Sequence, residues 1–403
     1  MKTLKITFQN REGEKLSGYL ELPTNQKPQN FAIFAHCFTC NKNFHAPKNV
    51  SRSLASQGFG VLRFDFTGLG ESEGEFADSN FSGNVSDLIA AADFLESDYK
   101  APSLLVGHSL GGAATLFAAS EITSVKAVAT INAPSNLEHV KDHFQSSLDA
   151  LNTKGSASVN IGGRPFKLKK QFIEDLGAKD SQQKVSEIKK ALLILHAPKD
   201  QIVSINHAEE IYKAAKHPKS FVVLDGADHL LSNSSHSIYA GEVIAAWSTK
   251  YLENEEPAEL KTDQEVVANL GEEGFTTQIK AGKHYLIADE PESVGGNNFG
   301  PNPYEFLSTG LAACTSMTIQ MYARRKKWVI KNVETHVSYA KKHMEDCENC
   351  ERNSSKIDSF HREISFNGDL DEKQLKRLLE IADKCPVHRT LSTNAVITTQ
   401  LKK

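Results

Sequence analysis

From residue 3 to about residue 250 the chain alternates short apolar runs with amphipathic stretches. The runs are FAIFAH, GVLRFDF, SLLVGHS, VKAVATI, ALLILHA and SFVVLDG. They are nearly continuous in Val, Ile, Leu, Phe and Ala, which is the pattern of strands covered on both faces, and the stretches between them have helical periodicity. The pattern predicts a mostly parallel α/β sheet with helices on both faces. Between residues 133 and 190 the alternation breaks down, which places an insertion or a long crossover there. An acidic, proline-containing stretch at 252–264 suits a solvated linker.

Beyond the linker the pattern becomes α+β. Strands are expected over 275–281 and 284–288, and a Gly/Asn/Pro-rich loop leads into a long helix over 304–325. A hairpin follows, with Val333, Val337 and Tyr339 alternating on one arm and Phe360, Ile364 and Phe366 on the other. A last helix is expected over 371–384, and a closing strand over 395–401. The domain boundaries read from this are 1–251, a linker at 252–264, and 265–403.

Composition narrows the class. Lys plus Arg is 46 against 50 for Asp plus Glu in 403 residues, a net charge of −4. That balance argues against a general nucleic-acid or anionic-membrane binder. No apolar run reaches the ~18 residues a bilayer span needs, and the N-terminus lacks a signal-peptide pattern, so a cytoplasmic location is expected. Six cysteines are too sparse for a disulfide scaffold; each is read as core, redox-active or a metal ligand.

Residues 107–111 read Gly-His-Ser-Leu-Gly, with a strand run before and small residues opening a helix after. A sharp strand-to-helix turn of this kind exposes the Ser109 hydroxyl and aims the Leu110 N–H where an oxyanion would form. A serine hydroxyl needs a base and an orienting acid. His229 and Asp200 each follow a strand-like run, in the loops where open α/β sheets place their chemistry. Asp225 and Asp228 lie too near His229 in the same loop to orient it. The order Ser109, Asp200, His229 resembles that of α/β-hydrolases, and the resemblance covers residues 1–250. It implies an α/β hydrolase fold, with 133–190 as a cap. It also implies acyl transfer from a small-molecule ester to water, with the Phe38 N–H in His36-Cys37-Phe38-Thr39 as the second oxyanion donor. Cys37 stands where related esterases have glycine, and with Cys40 it forms a C-x-x-C. Two small residues filling a turn, or a reversible disulfide that gates the esterase, would each account for it. Asp65 is read as a turn former.

On the long C-terminal helix Leu307, Leu311, Cys314, Thr318 and Met321 recur at steps of four and three, and Leu375, Leu378, Ala382 and Cys385 form a similar stripe on the last helix. The segment GGNNFGPNPYEFLSTGLAACTSM, followed by CPVHRTLS, resembles the OsmC/Ohr family of thiol-dependent peroxidases over 265–403. The resemblance implies that Cys314 is peroxidatic and Cys385 resolving. It further implies an organic hydroperoxide and a thiol reductant as partners, no cofactor, and an intertwined homodimer. The peroxidases carry an early arginine and a glutamate after Asn-Pro. Here residues 265–303 hold no arginine, Tyr304 takes the glutamate position with Glu305 beside it, and Arg389 is the candidate cation. A silent module for dimerisation or small-ligand binding is the alternative. The hairpin tip bears His343, Cys347 and Cys350, which suit a solvated loop, a metal or a redox relay. The basic run Arg324 to Lys327 suits a helix C-terminus.

Overall fold

The computed structural model describes residues 2–23, 27–138, 147–161, 164–253, 260–272, 274–343 and 356–402. The chain divides into two compact units, Met1–Glu259 and Leu260–Lys403.

The first unit is built on eight strands. These are β1 (Lys2–Gln9), β2 (Lys15–Leu22), β3 (Asn30–Ala35), β4 (Phe59–Phe64), β5 (Leu104–His108), β6 (Ala127–Ile131), β9 (Ala191–His196) and β10 (Lys219–Val223). Their order is β1-β2-β4-β3-β5-β6-β9-β10. Strands β1, β2 and β4 pair antiparallel and every other neighbour pairs parallel. The central strands are buried along their whole length, as their unbroken apolar runs require.

The two-residue repeat of a strand divides these side chains between two cores. Leu62, Phe64, Leu105, Leu192 and Ile194 join helices α2 (Phe81–Asp98) and α3 (Leu110–Ala118) on one face. Val61, Val106, Leu193 and Leu195 join α1 (His45–Ser56) and α8 (Ser234–Ser248) on the other. Burying one such Leu or Val contributes about 1.5–3 kcal/mol. Between β6 and β9 lie α4 (Leu148–Lys154), the hairpin β7 (Ser156–Ile161) and β8 (Arg164–Lys169), α5 (Lys170–Gly177) and α6 (Ser181–Glu187). α7 (Asn206–Ala214) follows β9.

The second unit has a three-stranded antiparallel sheet of β11 (Val266–Leu270), β12 (Thr277–Ala281) and β13 (His284–Ala288). It also has the long hairpin of β14 (Ile330–His343) and β15 (Lys356–Gly368), in which Val333 faces Phe366 and Tyr339 faces Phe360. Helix α9 (Pro303–Lys326) and helix α10 (Glu372–Ala382) pack through Ile319, Ala323, Leu378 and Ala382. Three expectations are corrected here. The buried stripe of α9 is Leu311, Thr315, Ile319 and Ala323, whereas Leu307 and Met321 are exposed, because a run at steps of four drifts away from the alternating stripe. Cys385 lies beyond α10 and caps the short helix α11 (Pro386–Leu391). Residues 395–401 form no strand: Val396, Ile397 and Leu401 are about nine-tenths exposed, for alternation makes a strand only where a sheet edge receives it.

Candidate active site

Ser109 sits between β5 and α3 at φ 55° and ψ −125°. A non-glycine residue at positive φ costs energy, and the surroundings must hold it there. Its N–H is fixed to the Ile131 carbonyl at 2.8 Å, and its carbonyl accepts the N–H groups of Gly112 and Ala113. Two glycines make the turn possible. A Cβ on Gly107 would lie 2.4 Å from the Gly111 carbonyl oxygen, and one on Gly111 would lie 2.3 Å from the His36 carbonyl oxygen. α3 thus begins against the end of β3, which brings the Leu110 amide beside the loop that carries Phe38.

Asp200 follows β9 and His229 follows β10, and the structure brings both to Ser109. His229 Nε2 is 3.0 Å from Ser109 Oγ, and His229 Nδ1 is 2.7 Å from Asp200 Oδ2. Burial works against the Asp200 carboxylate, but the His229 bond and the N–H groups of Val203 and Ile202 outweigh it and lower its pKa. It is therefore ionised at neutral pH and accepts from His229 Nδ1, which leaves Nε2 facing the Ser109 hydroxyl. Asp228 accepts the Ser232 N–H and shapes the turn after His229 instead.

Several supporting residues left no signal in the sequence. His108 donates from Nε2 to the His229 carbonyl at 2.6 Å, and Asn132 Nδ2 donates to the same oxygen at 3.0 Å. Asn132 Oδ1 accepts the Ala197 N–H at 2.8 Å, so one carboxamide ties the ends of β6 and β9 to the His229 loop. His196 Nε2 donates to the Val203 carbonyl in the Asp200 loop. Burial lowers the pKa of His196, and that of His108 to about 3, so both are neutral.

The third loop, 36–42, carries Phe38. His36 Nδ1 donates to the Cys37 carbonyl at 2.8 Å, and the Cys40 N–H reaches the same oxygen at 3.1 Å. Cys37 and Cys40 form a disulfide with their Cα atoms 5.3 Å apart. Thr39 between them has φ 61°, a conformation that costs about 1–2 kcal/mol for an L-residue. The loop ends at Lys42, fully buried, whose Nζ meets Asp65 Oδ2 at 2.5 Å while its N–H meets Oδ1 at 2.6 Å. Asp65 also accepts the Glu71 N–H, so it is the turn former expected and the partner of a buried lysine as well. The Phe38 ring packs on Phe76 and on Phe172 of α5, and Phe76 packs on Phe166 of β8. The insertion therefore lays an aromatic wall beside the loop.

In the second unit Cys314 of α9 is half-buried and Cys385 fully buried, and the two thiols lie close enough to shift each other's pKa. Burial and the Cys385 thiol raise the pKa of Cys314. Cys385 is opposed by burial too, but the Cys314 thiol, the His388 N–H, the Thr315 hydroxyl and the Val387 N–H lower its pKa. Arg362 of β15, which sequence reasoning missed, bonds to residues that flank the pair. It donates to Thr315 Oγ1 at 2.9 Å and to the Ala382 carbonyl at 3.1 Å, and pairs with Asp383 at 2.8 Å. Arg389 is exposed. Glu305 closes a capping box with Asn302, N–H to Oδ1 at 2.9 Å and N–H to Oε2 at 2.8 Å, and its carboxylate is committed there. Cys347 and Cys350 lie outside the described residues.

With fold and site in view, comparison places the chain in a class. A family model described as "Alpha/beta hydrolase family" matches residues 32–243, and one described as "OsmC-like protein" matches residues 295–400. The chain belongs to the α/β hydrolase family and carries a C-terminal OsmC-like domain. The crystal structure of the esterase domain from a Rhodothermus marinus protein is 47% identical, with 62% of this chain and 99% of that one covered and a TM-score of 0.52. The uncharacterized protein YfhR of Salmonella typhi is 26% identical over 56% of this chain and 74% of its own. The mitochondrial palmitoyl-protein thioesterase ABHD10 of Rattus norvegicus is 24% identical over 50% and 70%.

Proposed function

We propose that the first unit is a serine esterase with Ser109 as nucleophile, His229 as base and Asp200 as the acid that orients it. The observation that carries this is the unbroken chain from Asp200 Oδ2 through His229 to Ser109 Oγ, at 2.7 and 3.0 Å, with the serine held at a positive-φ elbow. Ser109 Oγ adds to the ester carbonyl as His229 takes its proton; the Leu110 and Phe38 amides bind the oxyanion; His229 returns the proton to the leaving alcohol. Water repeats the sequence on the acyl-enzyme, releasing the acid. The likeness to an esterase domain at 47% identity supports the reaction class. The aromatic wall of Phe38, Phe76, Phe166 and Phe172 suits an apolar or aryl acyl group. Hydrolysis of p-nitrophenyl acetate should fall by about 10⁴-fold in Ser109→Ala. A rate near that of the wild type would sink the assignment.

For the second unit we infer a thiol site. Cys314 is the more accessible sulfur, and Cys385 is the better stabilised as thiolate, so Cys385 can take the Cys314 proton as a hydroperoxide arrives. Cys314 then attacks the peroxide oxygen, releasing an alcohol and leaving a sulfenic acid. Cys385 displaces water to give a disulfide, which an external thiol reduces. The exposed 395–401 segment suits the intertwined homodimer that the resemblance implies. The second reading, a silent dimerisation module, is favoured by the commitment of Glu305 to its capping box. Treating the intact protein with cumene hydroperoxide separates them: a Cys314–Cys385 crosslink supports the first, and unchanged thiols support the second.

A further inference from the structure

We propose that Cys37 and Cys40 are a reversible redox site that switches the esterase by holding or releasing the turn that carries Phe38. The inference rests on the oxyanion role given to the Phe38 amide. Residues 37–40 form a turn closed by the Cys40 N–H on the Cys37 carbonyl, with Thr39 at its third position at φ 61°. Turns of that kind place glycine there, and a β-branched residue is among the least tolerant of it. The Cys37–Cys40 bond spans the first and last residues of the turn and keeps it closed against that tendency.

The geometry carries this to the chemistry through one peptide unit. The Cys37 carbonyl and the Phe38 N–H belong to the same trans peptide and point in opposite directions. His36 Nδ1 and the Cys40 N–H hold the carbonyl, and so they aim the amide. A crosslink over three residues closes too short a loop to matter much to the whole fold, so its effect is local.

Reduction breaks the S–S bond. A dithiol supplies two electrons and two protons and is itself oxidised to a disulfide, leaving two S–H groups. Thr39 can then leave positive φ, the turn opens, and the Phe38 N–H swings away from the oxyanion. An oxidant such as diamide removes the two hydrogens and restores the bond. Both cysteines are only 5% exposed, so exchange proceeds through opening of the turn.

The test compares intact protein after dithiothreitol and after diamide, with alkylation of Cys37 and Cys40 read by mass spectrometry. Reduction should lower kcat for p-nitrophenyl acetate at least about tenfold with KM within about twofold, the pattern of a lost oxyanion donor. Thr39→Gly, which accepts positive φ freely, should stay active and insensitive to dithiothreitol. Labelling of Ser109 by a fluorophosphonate should slow in parallel with kcat. Equal labelling in the two states, with the sulfurs fully reduced in one and linked in the other, overturns the switch alone. No labelling in either state overturns the esterase reading and the switch together.

Discussion

Three buried histidines, His36, His108 and His196, stand at or just past the ends of β3, β5 and β9, and each donates a ring N–H to a loop carbonyl. Burial lowers the pKa of all three, and that of His108 to about 3, so the folded chain keeps them neutral while the unfolded chain protonates them near 6.5. Where the unfolded state binds more protons, stability rises with pH and is lost as pH drops. Resistance to urea should therefore decline as pH drops below about 6.5, with the His108 contribution continuing toward pH 3. Asp87 acts in the opposite sense, since burial raises its pKa to about 6. His108→Gln should flatten the acid slope in urea midpoints taken between pH 7.5 and 5. Asn132→Ala strands the Ala197 N–H and loosens the grip on His229, and should cost about 1–3 kcal/mol together with a fall in kcat. A melting curve and an esterase assay read both effects. Ser109, Asp200 and His229 were legible because their types, order and places after strand runs constrain one another. Asn132 and the three histidines were not, since a side chain bonded to a backbone carbonyl imposes no spacing on the chain.

Elements were most legible where burial is two-sided. The runs FAIFAH, ALLILHA and their like became strands of the central sheet, because a near-continuous apolar run has no other stable place. Legibility dropped where an element faces something outside its own chain segment. The stripe of α9 was misplaced, since Leu307 and Met321 are apolar yet exposed, and the alternation over 395–401 found no edge to join. The helix ends were clearer. Asn302 with Glu305 and Asp371 with Gln374 close capping boxes, and Asn302→Ala should destabilise the second unit by about 1 kcal/mol in a thermal melt. At the elbow, Gly111→Ala would drive a Cβ into the His36 carbonyl and part α3 from β3. If the Leu110 and Phe38 amides form the oxyanion site proposed above, ester hydrolysis should drop by more than about tenfold.

At the scale of the molecule, the change in hydrophobic pattern near residue 255 reflects two units with separate cores, divided at Glu259 and Leu260. The oligomer inferred for the second unit predicts a mass near twice 44.3 kDa by light scattering, and a monomer would remove the support that the exposed 395–401 segment gives it. Among the described residues no helix is long and apolar enough to cross a membrane. The insertion between β6 and β9 has one more consequence. Its strands β7 and β8 make a two-stranded sheet of their own, outside the register of the eight-stranded sheet that aligns Ser109, Asp200 and His229. The insertion is nevertheless seated in the frame, since Leu151, Phe172 and Leu176 are buried in the same core as Leu105 and Ile194 and Asp175 accepts from Ser82 of α2. A change in this segment therefore reaches the Phe38 loop through Phe172, as a lever resting on the frame rather than a piece apart from it.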